Sequence, residues 1–167
     1  MRILLILLLL CCAACASETV DSEAGAFVTP FPAPNFTMTT LNGGTLSLNT
    51  MQGRWVILNF WATWCAPCRA EMPALQAIAN ERSSDVALFG INMRESDDEI
   101  RAFMSRYRLS FPILTNPDDA IYNNYNLELG VPQTVIISPD GQVRWHQYGP
   151  IDLEKFRSTL DSLMETV

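Results

Sequence analysis

At 167 residues the chain is about one domain's worth, and 49% apolar residues are ample for a single core. A formal net charge of −7 argues against a nucleic-acid binder, which needs a basic footprint, and otherwise serves solubility. The five cysteines fall into two groups, Cys11, Cys12 and Cys15 near the start and Cys65 and Cys68 further on, so this is not a disulfide-stapled scaffold.

Met1-Arg2 and the apolar run from Ile3 to Leu10 are followed by small residues at Ala13, Ala14 and Ala16. This reads as a signal peptide over residues 1–16, and its apolar stretch is shorter than the ~20 residues of a spanning helix. Cys12-Ala13-Ala14-Cys15 resembles a bacterial lipobox, with Cys12 where Leu usually stands, and makes Cys15 the candidate lipidation site of a membrane-anchored lipoprotein. Cleavage after Ala16 is the alternative and gives a soluble secreted chain; an uncleaved anchor is the third. All three place the domain outside the cytoplasm.

Residues 17–35 show no apolar periodicity, and Pro30, Pro32 and Pro34 stiffen the end of this stretch, as expected of a tether, assigned to 17–33, ahead of a domain over 34–167. Residues 36–48, with Asn42-Gly43 between two arms, predict a hairpin. The apolar runs 56–61 and 86–91 predict strands covered on both faces. Between them, Met72, Leu75 and Ile78 have helical spacing. Ser96 followed by Glu99 has the form of a capping box and opens a helix with Ile100, Phe103, Met104 and Tyr107 on one face. Asp97, Asp98 and Glu99 then read as dipole-matched residues of a helix start rather than a metal cluster. A short strand over 111–114, a short helix over 118–125, and a hairpin over 134–147 turning at Pro139-Asp140-Gly141 follow. Asp152 is placed to cap a last helix that turns Leu153, Phe156, Leu160 and Leu163 inward. The order predicts an α/β fold, a mixed central sheet flanked by helices.

Trp64-Cys65-Ala66-Pro67-Cys68 joins the strand 56–61 to the helix after it. A CxxC at a strand-to-helix junction sets the first sulfur at the helix N-terminus, where free N–H groups and the macrodipole favour a thiolate. The second sulfur, one turn on, can close the ring. This is the geometry of reversible dithiol–disulfide exchange, with Cys65 as nucleophile and Cys68 as resolving thiol. Half of a zinc site is the competing reading. Zinc takes four ligands, and beyond the N-terminal cysteines the chain offers only His146, which reads as a satisfied or surface histidine. Copper handling fails on the same shortage. Pro67 fits the first turn of the helix without loss, whereas Pro73 removes a backbone bond from it and is expected to kink it.

Residues 59–73, from Asn59-Phe60-Trp61 through the CxxC to Glu71-Met72-Pro73, resemble the active-site segment of the TlpA/ResA-type thioredoxin-like proteins, which are membrane-tethered, extracytoplasmic bacterial thiol–disulfide oxidoreductases. Gly130-Val131-Pro132-Gln133 and the run after it resemble the family's cis-proline loop and following strand, and the similarity extends from Ala33 to the C-terminus. The resemblance implies a thioredoxin-like fold with an N-terminal β-hairpin extension and an activity that needs no bound cofactor. It implies a cis Pro132, with Val131 pairing its backbone with an incoming chain. Trp64, next to the sulfur, reads as a shield of the disulfide and an apolar contact surface rather than a plain core tryptophan. Glu71 matches the family's active-site glutamate, held to influence thiol acidity and proton transfer; a surface glutamate is the other reading. Asn59 stands where thioredoxin carries a buried acid. The implied partners are a membrane-embedded thiol electron donor and oxidised protein thiols, apocytochrome c before haem attachment among them, in cytochrome c maturation or envelope redox homeostasis. Two alternatives stay open. A peroxiredoxin-like peroxidase carries a threonine three residues before a lone nucleophilic cysteine, where this chain has Ala62 and a CxxC. A lipoprotein binding module with an inert disulfide would be no enzyme at all.

Overall fold

The protein is described here by a computed structural model covering residues 26–166. The expected signal peptide, the lipidation site at Cys15 and residues 17–25 of the expected tether lie outside the described residues. In chain order the elements are β1 (Ala26–Pro32), β2 (Thr37–Thr40), β3 (Thr45–Ser47), β4 (Trp55–Trp61), α1 (Ala66–Glu81), β5 (Val86–Asn92), α2 (Asp97–Tyr107), β6 (Ile113–Thr115), α3 (Asp119–Asn124), β7 (Gln133–Ile137), β8 (Gln142–Tyr148) and α4 (Leu153–Glu165). Short 3-10 turns at Leu48–Met51 and Leu127–Leu129 complete the set.

The strands form one sheet in the order β1-β8-β7-β4-β5-β6-β2-β3. Pairs β4–β5 and β5–β6 are parallel and the others antiparallel. All seven residues of β4 and of β5 are buried, as strands covered on both faces must be. Alternation along β4 sorts its side chains between two cores. Ile57 and Trp61 pack with Met72, Leu75 and Ile78 of α1 and with Phe156 and Leu160 of α4. Val56, Leu58 and Phe60 pack on the other face with Ile121 of α3, Tyr125 and Val135. Asn59 shares the Ile57–Trp61 face, so the polar residue of the strand points toward α1.

The mixed sheet, the hairpin of β2 and β3 and the flanking helices match the thioredoxin-like expectation. The Ser96–Glu99 capping box is present with both of its reciprocal hydrogen bonds. The expected tether needs correction, because residues 26–32 are strand β1, paired antiparallel with β8 at the sheet edge. Almost every side chain of β1 is exposed, so it buries no face and leaves no alternating apolar signal. Its prolines are tolerated because an edge strand can leave one side unpaired.

One close approach in β5 yields a prediction. A Cβ on Gly90 would stand 2.9 Å from Trp61 Nε1, 2.9 Å from Phe111 Cε2 and 2.8 Å from Ile113 Cδ1, all inside ordinary contact. Gly90→Ala should therefore destabilise the fold by about 1–3 kcal/mol through overpacking, read as a lower urea midpoint with an unchanged slope. An unchanged midpoint would show that this core yields freely.

Candidate active site

The strand β4 ends at Trp61, the chain turns through Ala62 to Trp64, and Cys65 is the N-cap of α1. The Cys65 sulfur accepts the Cys68 N–H at 3.2 Å, a hydrogen bond that serves a thiolate as well as a capping group. Pro67 falls in the first helical turn, and Pro73 lies inside α1, which runs on to Glu81. Cys65 and Cys68 are joined as a disulfide with their Cα atoms 5.3 Å apart. Cys68 is completely buried and Cys65 is 4% exposed, so the little access that exists is to Cys65. Trp64 beside it is 68% exposed, a large apolar side chain left in water next to the sulfur.

Glu71 lies one helical turn beyond Cys68 and points into the protein, with only 3% of its surface exposed. The surface reading of this residue does not describe it. Its Oε1 accepts from Asn59 Nδ2 of β4 at 2.9 Å, and its Oε2 accepts from the Ile151 N–H, in the loop before α4, at 3.2 Å. Burial pushes its pKa up to about 7, with the Ile151 and Asn59 hydrogen bonds pulling the other way. The carboxyl is thus placed to change charge near neutral pH beside a dithiol.

The Val131–Pro132 peptide bond is cis. Val131 is half-buried against the core cluster that contains both cysteines, and Pro132 C=O accepts from the Gly149 N–H at 2.9 Å. Gln133 holds the loop from behind, donating Nε2 to Gly130 C=O at 2.9 Å and to Asn126 C=O at 3.1 Å. Residues 149–151 thus tie the two together, with the Ile151 N–H on Glu71 of α1 and the Gly149 N–H on the cis-proline loop. His146 does not join this constellation. It lies opposite Val135 in the ladder, on the sheet face away from α1, and its Nε2 meets Gln133 Oε1 at 3.2 Å. Burial pushes its pKa down to about 4, so it is neutral at physiological pH.

A second carboxylate escaped the sequence reading. Glu95, in the loop after β5, accepts from the Thr63 N–H at 2.7 Å, from Thr63 Oγ1 and from Asn92 Nδ2 at 2.7 Å. Arg69 donates to Thr63 C=O at 3.1 Å from the other side. Together they pin the residue that precedes Trp64. Glu95 and Thr63 are 32 residues apart, and nothing local in the sequence marks the pair.

The family model described as AhpC/TSA family matches residues 31–146. Thioredoxin-like protein YneN of Bacillus subtilis is 36% identical over 132 residues, 77% of this chain and 76% of its own. Thiol-disulfide oxidoreductase ResA of the same organism is 35% identical over 115 residues, 66% of this chain and 62% of that protein's length. The chain belongs to the TlpA/ResA-type thiol–disulfide oxidoreductases. Two solved structures agree with that placement. A secreted Mycobacterium tuberculosis disulfide oxidoreductase, homologous to Escherichia coli DsbE, superposes with a TM-score of 0.67 at 29% identity, over 76% of this chain and 95% of that one. A thiol:disulfide interchange protein of the thioredoxin family from Chlorobium tepidum gives a TM-score of 0.71 at 26% identity, over 82% and 98%. Within the family this ResA-type domain carries the paired cysteines of an exchange enzyme, and Ala62 where the peroxidase reading requires threonine.

Proposed function

We propose that this chain is an extracytoplasmic protein-disulfide reductase. One observation carries the reading: the Cys65–Cys68 disulfide caps α1 with a buried, near-neutral Glu71 one turn away. In the reducing cycle the Cys65 thiolate attacks a substrate disulfide, forming a mixed disulfide and releasing one substrate thiolate. The Cys68 thiol gives its proton to the Glu71 carboxylate and attacks Cys65 Sγ, releasing the second substrate thiolate. Two electrons have then passed to the substrate, and the Cys65–Cys68 bond has formed. A membrane-embedded thiol donor restores the pair by the reverse exchange, delivering two electrons, and Glu71 returns its proton to the Cys68 sulfur. The substrate is an oxidised protein whose extended segment lies along Val131 and Pro132 with Trp64 as its apolar contact. Apocytochrome c before haem attachment is the recipient that the family's role favours.

The poise follows from opposed effects. The helix N-terminus and the Cys68 N–H stabilise a Cys65 thiolate and with it the reduced form, while an ionised Glu71 and the acidic chain oppose it. The potential should lie nearer that of thioredoxin, about −270 mV, than that of the strong periplasmic oxidant, about −120 mV. Equilibration of the purified protein in dithiothreitol or glutathione buffers reads it directly. A value at or above about −180 mV, the isomerase range, would contradict the reductase reading.

The extracytoplasmic placement is supported by the signal-peptide pattern of residues 1–16 and by the secreted M. tuberculosis relative. Among the described residues no helix is long and apolar enough to cross a membrane. Anchoring is proposed through a lipid on Cys15. Labelled fatty acid should enter the wild-type chain and be absent from Cys15→Ala. A mature protein that begins at Ser17 without lipid would contradict the anchor and leave a free extracytoplasmic domain.

A further inference from the structure

The hydrogen bonds around Glu71 leave one place unfilled. Asn59, wholly buried in β4, donates Nδ2 both to Glu71 Oε1 at 2.9 Å and to Thr134 Oγ1 of β7 at 3.1 Å, and the carboxylate, which can only accept, decides which way round the amide lies. Its Oδ1 is buried with no partner, a costly state for an amide oxygen. Glu71 Oε2 is met by the Ile151 N–H. Each carboxyl oxygen therefore faces a donor, the arrangement that best suits an ionised carboxylate. A protonated carboxyl has a donor of its own to place, and the unpartnered acceptor of this group is Asn59 Oδ1.

We propose that Asn59 is the positioning residue for Glu71, and that its amide turns over when Glu71 takes up a proton, so that Oδ1 accepts from the carboxyl where Nδ2 had donated to it. The inference rests on Glu71 being the proton-bearing group of the exchange site. The proton that leaves the resolving thiol goes to a Glu71 oxygen, and the negative charge passes from carboxylate to sulfur. The Thr134 hydroxyl accommodates either amide orientation, because it can accept from Nδ2 or rotate to donate to Oδ1. The turn exchanges one unpartnered atom, Oδ1, for the other, Nδ2. The amide thus holds the carboxyl in place in both charge states without a movement of α1.

The surroundings of Glu71 make its titration readable. It faces Asn59 from β4, with Thr134 of β7 behind the amide, and the Ile151 N–H from the loop before α4. Asp152, next in that loop, is occupied in capping α4 at the Lys155 N–H. On its own helix the nearby ionisable groups are Cys68, bound to the N-cap Cys65 in the oxidised protein, and Arg69, whose guanidinium donates to Thr63 C=O.

The test follows the Glu71 carboxyl carbon and the Asn59 side-chain amide by NMR across pH in the oxidised protein, where the two cysteines do not titrate. In the wild type the two signals should share one midpoint, and the proximity of the Asn59 amide hydrogens to Thr134 should be lost below it. In Asn59→Leu the Glu71 midpoint should rise, because the charge-assisted hydrogen bond lost from the ionised form is stronger than the neutral one lost from the protonated form. In Asn59→Asp the two facing carboxyls should share a proton and titrate in two steps. An Asn59 amide that stays unchanged while Glu71 titrates overturns the proposal, and so does an unmoved midpoint in a folded Asn59→Leu. If that variant does not fold, the wild-type measurement decides alone. The underlying role of Glu71 is read separately, from alkylation of the reduced protein against pH. Glu71→Gln should lower the apparent pKa of Cys65, since a nearby negative charge is removed. An unchanged alkylation profile would overturn the role of Glu71 itself, whatever the amide does.

Discussion

Glu71→Gln should reverse the sign of the pH dependence of stability of the oxidised protein between about pH 4.5 and 7. In the folded protein the Glu71 pKa is raised from 4.5 to about 7, so over that window the native state holds a proton that the unfolded chain has lost. Stability must then fall as pH rises through the window. The raised pKa corresponds to about 3 kcal/mol at most, lost once the pH exceeds 7. His146 works in the other direction. Its pKa is lowered from 6.5 to about 4 by burial, so between those values the unfolded chain binds the extra proton and stability rises with pH. Its contribution is the smaller of the two, because the ring is only half-buried and solvent screens it. The wild-type protein should therefore show a shallow fall from pH 4.5 to 7. With Glu71→Gln the His146 contribution remains alone, and the curve should rise from about pH 4.5 to 6.5 and then level off. Urea unfolding at a series of pH values, with the disulfide intact, reads both curves. The carboxylates held below their usual range, Glu81 beside Arg157 and Glu99 and Asp140 beside their serines, are exposed and act alike in both proteins at lower pH. Parallel curves for wild type and variant would mean that Glu71 ionises in the folded protein as it does in water.

Parts of this arrangement were legible in the chain and others were not, for physical reasons. The runs 56–61 and 86–91 are apolar at every position or nearly so, and a strand covered on both faces leaves just that trace. The CxxC announces its own geometry, since a strand, a tight turn and a helix are all marked by adjacent residues. The resemblance of residues 130–137 to the cis-proline loop pointed to a cis Pro132, and the bond is cis. Strand β1 was missed because it pairs through its backbone alone and leaves its side chains, Phe27 and Phe31 included, largely in water. The orientation of Glu71 was open because its partners lie 12 and 80 residues away along the chain. Helical spacing says that Glu71 follows Cys68 by a turn; only the packing of α1 against β4 and the loop before α4 says which way its carboxyl points.

The account comes down to which sulfur meets the substrate, and trapping decides it. Cys65 sits at the N-terminus of α1, retains the small exposure that the pair has, and stands next to the solvent-exposed Trp64, whereas Cys68 is sealed inside the helix. A Cys68→Ser variant should attack a disulfide-bonded substrate such as insulin and stop at the mixed disulfide, since no resolving thiol remains to release it. The adduct should accumulate toward one per protein and map to Cys65 by mass spectrometry. Cys65→Ser should form almost none, because the remaining sulfur is buried and lacks the N-cap position. An adduct that builds up in Cys65→Ser and not in Cys68→Ser would contradict the assignment of the nucleophile and the reducing cycle drawn from it.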